Sequence, residues 1–246
     1  MPQWPQLQKA PITEAIIDLR VVLPDTVTLD DLGEMHQSIQ EDYPKRTLRS
    51  AWQASLHIGG DSSRPVAKTS GGPDGYLFQS DTDRQVCQAR LDGFSLSRLH
   101  PYHSWGDLLS EAKQLWRKYV AVAKPTSVTR IAVRYVNRIE LPLPSKFEDY
   151  FKTTPAIAPS LPQSVTGLLM RLQIPFDSPP AIAIVTQALQ PNADEKAPYI
   201  FDIDVFRGAQ SQSNSDDIWN SLHELRQVKN RVFFESLTEL CIGMFE

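Results

Sequence analysis

Cysteine is scarce in this chain of 246 residues: Cys87 and Cys241 stand far apart, with no Cys-x-x-Cys and no metal-ligand spacing. That excludes a disulfide framework and a structural zinc site, and it makes a reducing cytoplasm the expected setting. No window approaches the roughly 18 to 20 consecutive apolar residues of a membrane-spanning helix. The opening Met1-Pro2-Gln3-Trp4-Pro5 lacks the basic start and apolar stretch of a signal peptide, so the chain reads as soluble and unprocessed. A charge excess is missing too. The 25 basic side chains face 29 acidic ones, a formal net charge of −4, and nothing global points to a phosphate backbone or an anionic membrane.

Catalytic motifs are equally sparse. The loop Gly59-Gly60 through Lys68-Thr69 imitates a phosphate loop, but Ala67 stands where the glycine before the lysine must be, and Ser70-Gly71-Gly72-Pro73 follows where a helix is needed. It reads as a surface loop over 59–75. His-Glu-x-x-His and Gly-x-Ser-x-Gly are absent, His223-Glu224 has no second histidine four residues on, and His100-Pro101-Tyr102-His103 has no third ligand beside it. Asp202 and Asp204 have the spacing of a carboxylate pair but no third acid on the same strand. The expectation is no metal and no cofactor.

What is present is a hydrophobic content of 41%, enough for a sizeable core, arranged with clear periodicity. Alternation predicts strands over 12–23, 52–58, 76–79, 85–91, 94–98, 128–141, 165–176, 181–189 and 199–206. Thr28-x-x-Asp31 opens a predicted helix over 28–42, and Ser104-x-x-Asp107 opens another that ends before Pro125. A long helix over 216–240 closes the chain, with Ser215 as its cap. Asp92-Gly93 reads as a tight hairpin turn. Helices separated by runs of hairpin-linked strands, without regular β-α alternation, indicate an α+β fold with a largely antiparallel, meander-rich sheet. Thr28, Asp31, Leu32, Ile39 and Tyr43 echo Ser104, Asp107, Leu108, Leu115 and Tyr119 at an offset of 76 residues. A duplicated strand-helix-strand unit and shared helix grammar both account for the echo. Five prolines between 142 and 162 mark a connector, with at most a short helix over 147–151, and the subdomain boundary of an otherwise single 1–246 unit falls in 142–164.

The pattern richest in chemistry is electrostatic. Arg130, Arg134 and Arg138 share one strand face at about 13 Å intervals, and Arg20 sits on the polar face of the first strand. Either this face is a concave site for an anionic ligand or the acidic segment of a partner, or the arginines pair across strands with Glu14, Asp18, Asp202 or Asp204. The last helix carries Arg226, Lys229, Arg231 and Phe233-Phe234, but Asp216, Asp217, Glu224, Glu235 and Glu239 surround them, so nucleic acid is not expected as a partner. Self-association through an edge strand or the Phe233-Phe234 helix is a further reading. The enzyme alternative uses His57 or His100 as acid-base group on a small phosphorylated compound or nucleotide, under the 59–75 loop as a lid.

Three stretches together resemble a known family: Ala10-Pro11-Ile12-Thr13-Glu14-Ala15-Ile16-Ile17-Asp18-Leu19-Arg20, then Arg134-Tyr135-Val136-Asn137-Arg138-Ile139-Glu140-Leu141-Pro142, then Leu222-His223-Glu224-Leu225 with Asn230-Arg231-Val232-Phe233-Phe234-Glu235-Ser236-Leu237-Thr238. The Asp-Gly-Phe turn and Trp105 fit as well. The family is a sporadically distributed, uncharacterised group of prokaryotic cytoplasmic proteins of about this length. The resemblance implies one integrated unit carried in accessory gene clusters of defence or toxin-antitoxin type, and it brings no reaction, cofactor or catalytic residue.

Overall fold

A computed structural model describes residues 4–57, 66–82, 84–142, 146–163, 165–189 and 196–246. Its nine strands are β1 (Ile12–Val22), β2 (Lys45–His57), β3 (Val66–Gln79), β4 (Gln85–Arg90), β5 (Gly93–Leu99), β6 (Ser127–Pro142), β7 (Leu168–Asp177), β8 (Pro180–Leu189) and β9 (Lys196–Ser211). They form one sheet in the order β2-β3-β4-β5-β1-β6-β9-β8-β7, every neighbouring pair antiparallel. β1 and β6 lie side by side at its centre. Each is flanked by a meander that returns to it, β3-β4-β5 to β1 and β7-β8-β9 to β6.

Strand alternation decides which side of the sheet the helices cover. Ala15, Ile17 and Leu19 on β1, Ile131, Val133, Tyr135, Ile139 and Leu141 on β6, and Tyr199, Phe201, Ile203 and Val205 on β9 are all essentially inaccessible. Against this apolar side pack α1 (Leu29–Glu34), α2 (Trp105–Ala123) and α3 (Asp217–Ser236), with a short α4 (Glu239–Gly243) at the end. Phe94 meets Trp116 and Tyr119 of α2, and Phe201 meets Phe233 of α3. Asn137, which breaks the apolar series of β6, stays buried because its Nδ2 donates to the Phe201 carbonyl at 2.9 Å. The opposite side carries the alternate residues of the same strands, and among the described residues no helix covers it.

Several expected boundaries move, each for a local reason. The helix over 28–42 is only α1 followed by a 3-10 turn, Met35–Ser38. Its capping box forms as expected, with the Thr28 backbone N–H donating to Asp31 at 2.7 Å, but Ser38 Oγ takes the Met35 carbonyl at 2.9 Å and turns the chain. The expected loop over 59–75 is β3 from Val66 onward; residues 58–65 and the His57 side chain lie outside the described part. Pro73 is tolerated because the β3–β4 register begins only at Gly75, so its missing N–H costs no bond on that side. The hairpin turn is Leu91-Asp92, with Gly93 already paired to Arg90 and to Arg20. A Cβ at Gly93 would stand 2.3 Å from the Leu19 carbonyl oxygen. The final helix stops at Ser236 because Leu237 turns extended and bridges to Phe151 of the connector, after which Thr238 caps α4.

Candidate ligand groove on the helix-free sheet face

The helix-free side is concave over β1, β4, β5 and β6 and holds a groove of about 640 Å³. Glu14, Asp18 and Arg20 line it from β1, Arg90 from β4, Arg130 and Arg134 from β6, with Arg49 and Asp204 at its flanks. These positions follow from the pleat: on each strand they alternate with the buried apolar residues.

Register makes the arrangement electrostatically necessary. Arg20 and Arg130 are direct cross-strand partners, a like-charge pairing that would be repulsive alone. Asp18, two residues along β1, resolves it. Its carboxylate lies 3.2 Å from Arg130 Nη1, 3.4 Å from Arg20 Nε and 2.6 Å from Arg90 Nη2. Arg90 is the deepest of these arginines, 4% exposed, and donates again to Asp92 at 3.1 Å. Its in-register partners on both sides are glycines, Gly75 and Gly93, where a Cβ would collide with backbone; at Gly93 it would also come within 3.0 Å of the Arg90 guanidinium. Arg20 reaches Asp92 as well, and Arg49 pairs with Asp74.

Arg130 spans the β1–β6–β9 seam, with its second nitrogen 3.1 Å from Asp204 and its plane 4.3 Å over the Phe206 ring. Arg134 grips Asp202 with two parallel bonds, 2.9 and 2.7 Å, which raise the guanidinium's pKa above its ordinary value. Burial raises the Asp204 carboxyl, with Arg130 and Arg134 pulling against it. Arg138 lies outside the groove lining and bonds Glu140 on its own strand at 2.6 Å.

Of the four arginines singled out in the sequence, Arg20, Arg130 and Arg134 therefore meet in one groove and Arg138 does not. All four are ion-paired. The partners are Asp18, Asp92, Asp202, Asp204 and Glu140, while Glu14 lines the groove and makes no ion pair among the described residues. Sequence reasoning missed Arg90 and Arg49. Arg90 was within reach, since it alternates with Cys87 and Ala89, but its burial depends on glycines distant in the chain.

The other candidates fall elsewhere. His100 is exposed in the turn between β5 and α2. Among the described residues no histidine, cysteine or lysine lines the groove. Among the described residues no cluster of three His, Cys, Asp or Glu side chains could hold a metal, and Asp202 and Asp204 are engaged by Arg134 and Arg130. Both thiols are buried, and burial pushes Cys241 up to about 12. Among the described residues no helix is long and apolar enough to cross a membrane. No protein-family model matches this chain, and no curated protein is similar to it in sequence.

Proposed function

We propose that this chain is a non-catalytic binding protein of the prokaryotic cytoplasm. Its helix-free sheet face holds an anionic ligand or the acidic segment of a protein partner encoded in the same accessory gene cluster. The observation that carries this reading is the convergence of Arg20, Arg49, Arg90, Arg130 and Arg134 on one groove of about 640 Å³, within the size range of small-ligand sites. Compensating aspartates keep that surface stable when empty, and a ligand oxyanion takes over donors that Arg130 and Arg134 now offer to Asp204 and Asp202. Arg134, whose side chain is 47% exposed, is the most accessible of the β6 pair. The described residues of the lining include no histidine, cysteine or lysine, which favours binding over acid-base chemistry near neutral pH.

We further propose that the chain is one 1–246 unit built by duplication. The repeated unit is a strand, a connection, a returning meander and a helix, which sets α2 against α3 rather than α1 against α2. The two-sided strand order about β1 and β6 supports it.

Thermal melts with inorganic pyrophosphate, ATP and an oligoglutamate peptide test the binding reading. At a concentration 100 times its Kd a bound probe stabilises by about 2.7 kcal/mol, a rise of roughly 5 to 10 °C. Arg134→Gln, which keeps an amide donor for the mostly buried Asp202, is expected to abolish that rise measured from its own ligand-free melt. No rise with any probe, or an equal rise in the variant, contradicts the reading.

A further inference from the structure

On the helix-covered side, α3 places Arg226 and Lys229 three residues apart on one helix face, at the level of Tyr135 on β6. Lys229 is 8% exposed, and its ammonium lies 3.8 Å from the centroid of the Tyr135 ring. Arg226 stands over Trp105 at 5.6 Å, and its charge acts on the Tyr135 hydroxyl. The Tyr135 hydroxyl is 3.1 Å from that of Tyr102, and Trp105 Nε1 donates to His223 Nδ1 at 3.1 Å. Among the described residues neither cation has a carboxylate within ion-pair distance. From α2, Asp107 faces Tyr102 but is bonded to Ser104, and Lys113 faces His223. From β5, Arg98 faces Tyr102 and pairs with Glu111.

Two neighbouring cations on one helix face repel, and an ammonium taken out of water without a counter-ion costs several kcal/mol. Every arginine of the sheet groove has its carboxylate; this pair has aromatic rings and two hydroxyls instead. The missing element is an anion from outside. We propose that Lys229, Arg226 and the Tyr102–Tyr135 hydroxyl pair form a binding site for a small oxyanion, a carboxylate or phosphate group, entered past the half-buried Tyr102 and Arg226. The oxyanion accepts N–H bonds from the guanidinium and the ammonium and an O–H bond from a tyrosine, and the rings of Tyr102, Trp105 and Tyr135 flank whatever carries it. Burial first, and the field of Arg226 second, hold the empty-site Lys229 down to about 7. An anion in contact restores the ammonium, so above pH 7 binding takes up a proton.

Calorimetric titrations at pH 8 with inorganic phosphate and, separately, acetate, each in two buffers of different ionisation enthalpy, test this. The wild type is expected to bind at least one probe with net proton uptake; which probe binds separates a phosphate from a carboxylate ligand. Lys229→Met should abolish the proton uptake and weaken binding roughly tenfold or more, and Arg226→Gln should weaken it to a similar degree. Arg138→Gln, on the other side of the sheet and outside the groove lining, should leave it unchanged. Absence of binding, binding without proton uptake, or binding that neither Lys229→Met nor Arg226→Gln weakens overturns the site.

Discussion

The two sides of this sheet treat positive charge in opposite ways. On the helix-free side five arginines line one groove, and each is matched to an aspartate within its own strand neighbourhood. On the covered side, under α3, an arginine and a lysine lie against aromatic rings with no carboxylate in ion-pair reach among the described residues. The mild net charge of −4 averages over both situations and reveals neither. Charge compensation is therefore a local property set by strand register: Asp18 reaches Arg20, Arg90 and Arg130 because β4, β5, β1 and β6 run side by side, with Gly93 of β5 lying between Arg90 and β1. A compensated surface is stable while empty and exchanges partners, whereas an uncompensated pair is held at a cost until something negative arrives.

Removing the centre of the compensated side should have the largest effect. Asp18→Ala leaves Arg90 buried with only Asp92 to oppose its charge and leaves Arg20 facing Arg130, so urea unfolding is expected to show a loss of about 3 kcal/mol or more. A loss below 1 kcal/mol would mean the lattice is screened by water and the two sides differ less than their geometry indicates. At the other end of the scale, Arg138→Ala removes a half-exposed pair outside the groove and should change stability by no more than about 0.5 kcal/mol. A larger loss would extend the compensated network to the far end of β6.

Much of this fold was legible in the sequence. Alternation placed β1, β6 and β8 within a residue or so of their ends, and the capping residues Thr28 and Ser104 both perform the role expected of them. The errors arose where distant partners override local pattern. β3 extends through Gly71-Gly72-Pro73 because β2 pairs with it along its length, and α3 stops at Ser236 because Phe151, far back in the chain, takes Leu237 into a bridge. The groove was legible as a shared face on β6 and β1, but which carboxylate meets which guanidinium is fixed by strand order, which periodicity does not encode. Lys229 was read as part of a mixed-charge surface, since helical spacing alone does not reveal that it lands on Tyr135 beyond the reach of every acid on α3.

The contrast between the two sides rests most directly on the state of Lys229. Its folded pKa, about 7 against an ordinary 10.5, means that between those values the unfolded chain binds more protons than the native one. The contribution of Lys229 to stability is therefore lowest below pH 7 and rises with pH toward 10.5. Carbon-13 NMR of the lysine ε-methylenes in the ligand-free protein, with Lys229→Met to assign the signal, reads the group itself. A Lys229 signal titrating near pH 7 is the predicted result. A midpoint at or above 10 would mean that a counter-ion already serves this amine, and the opposition between the two sides of the sheet would not stand.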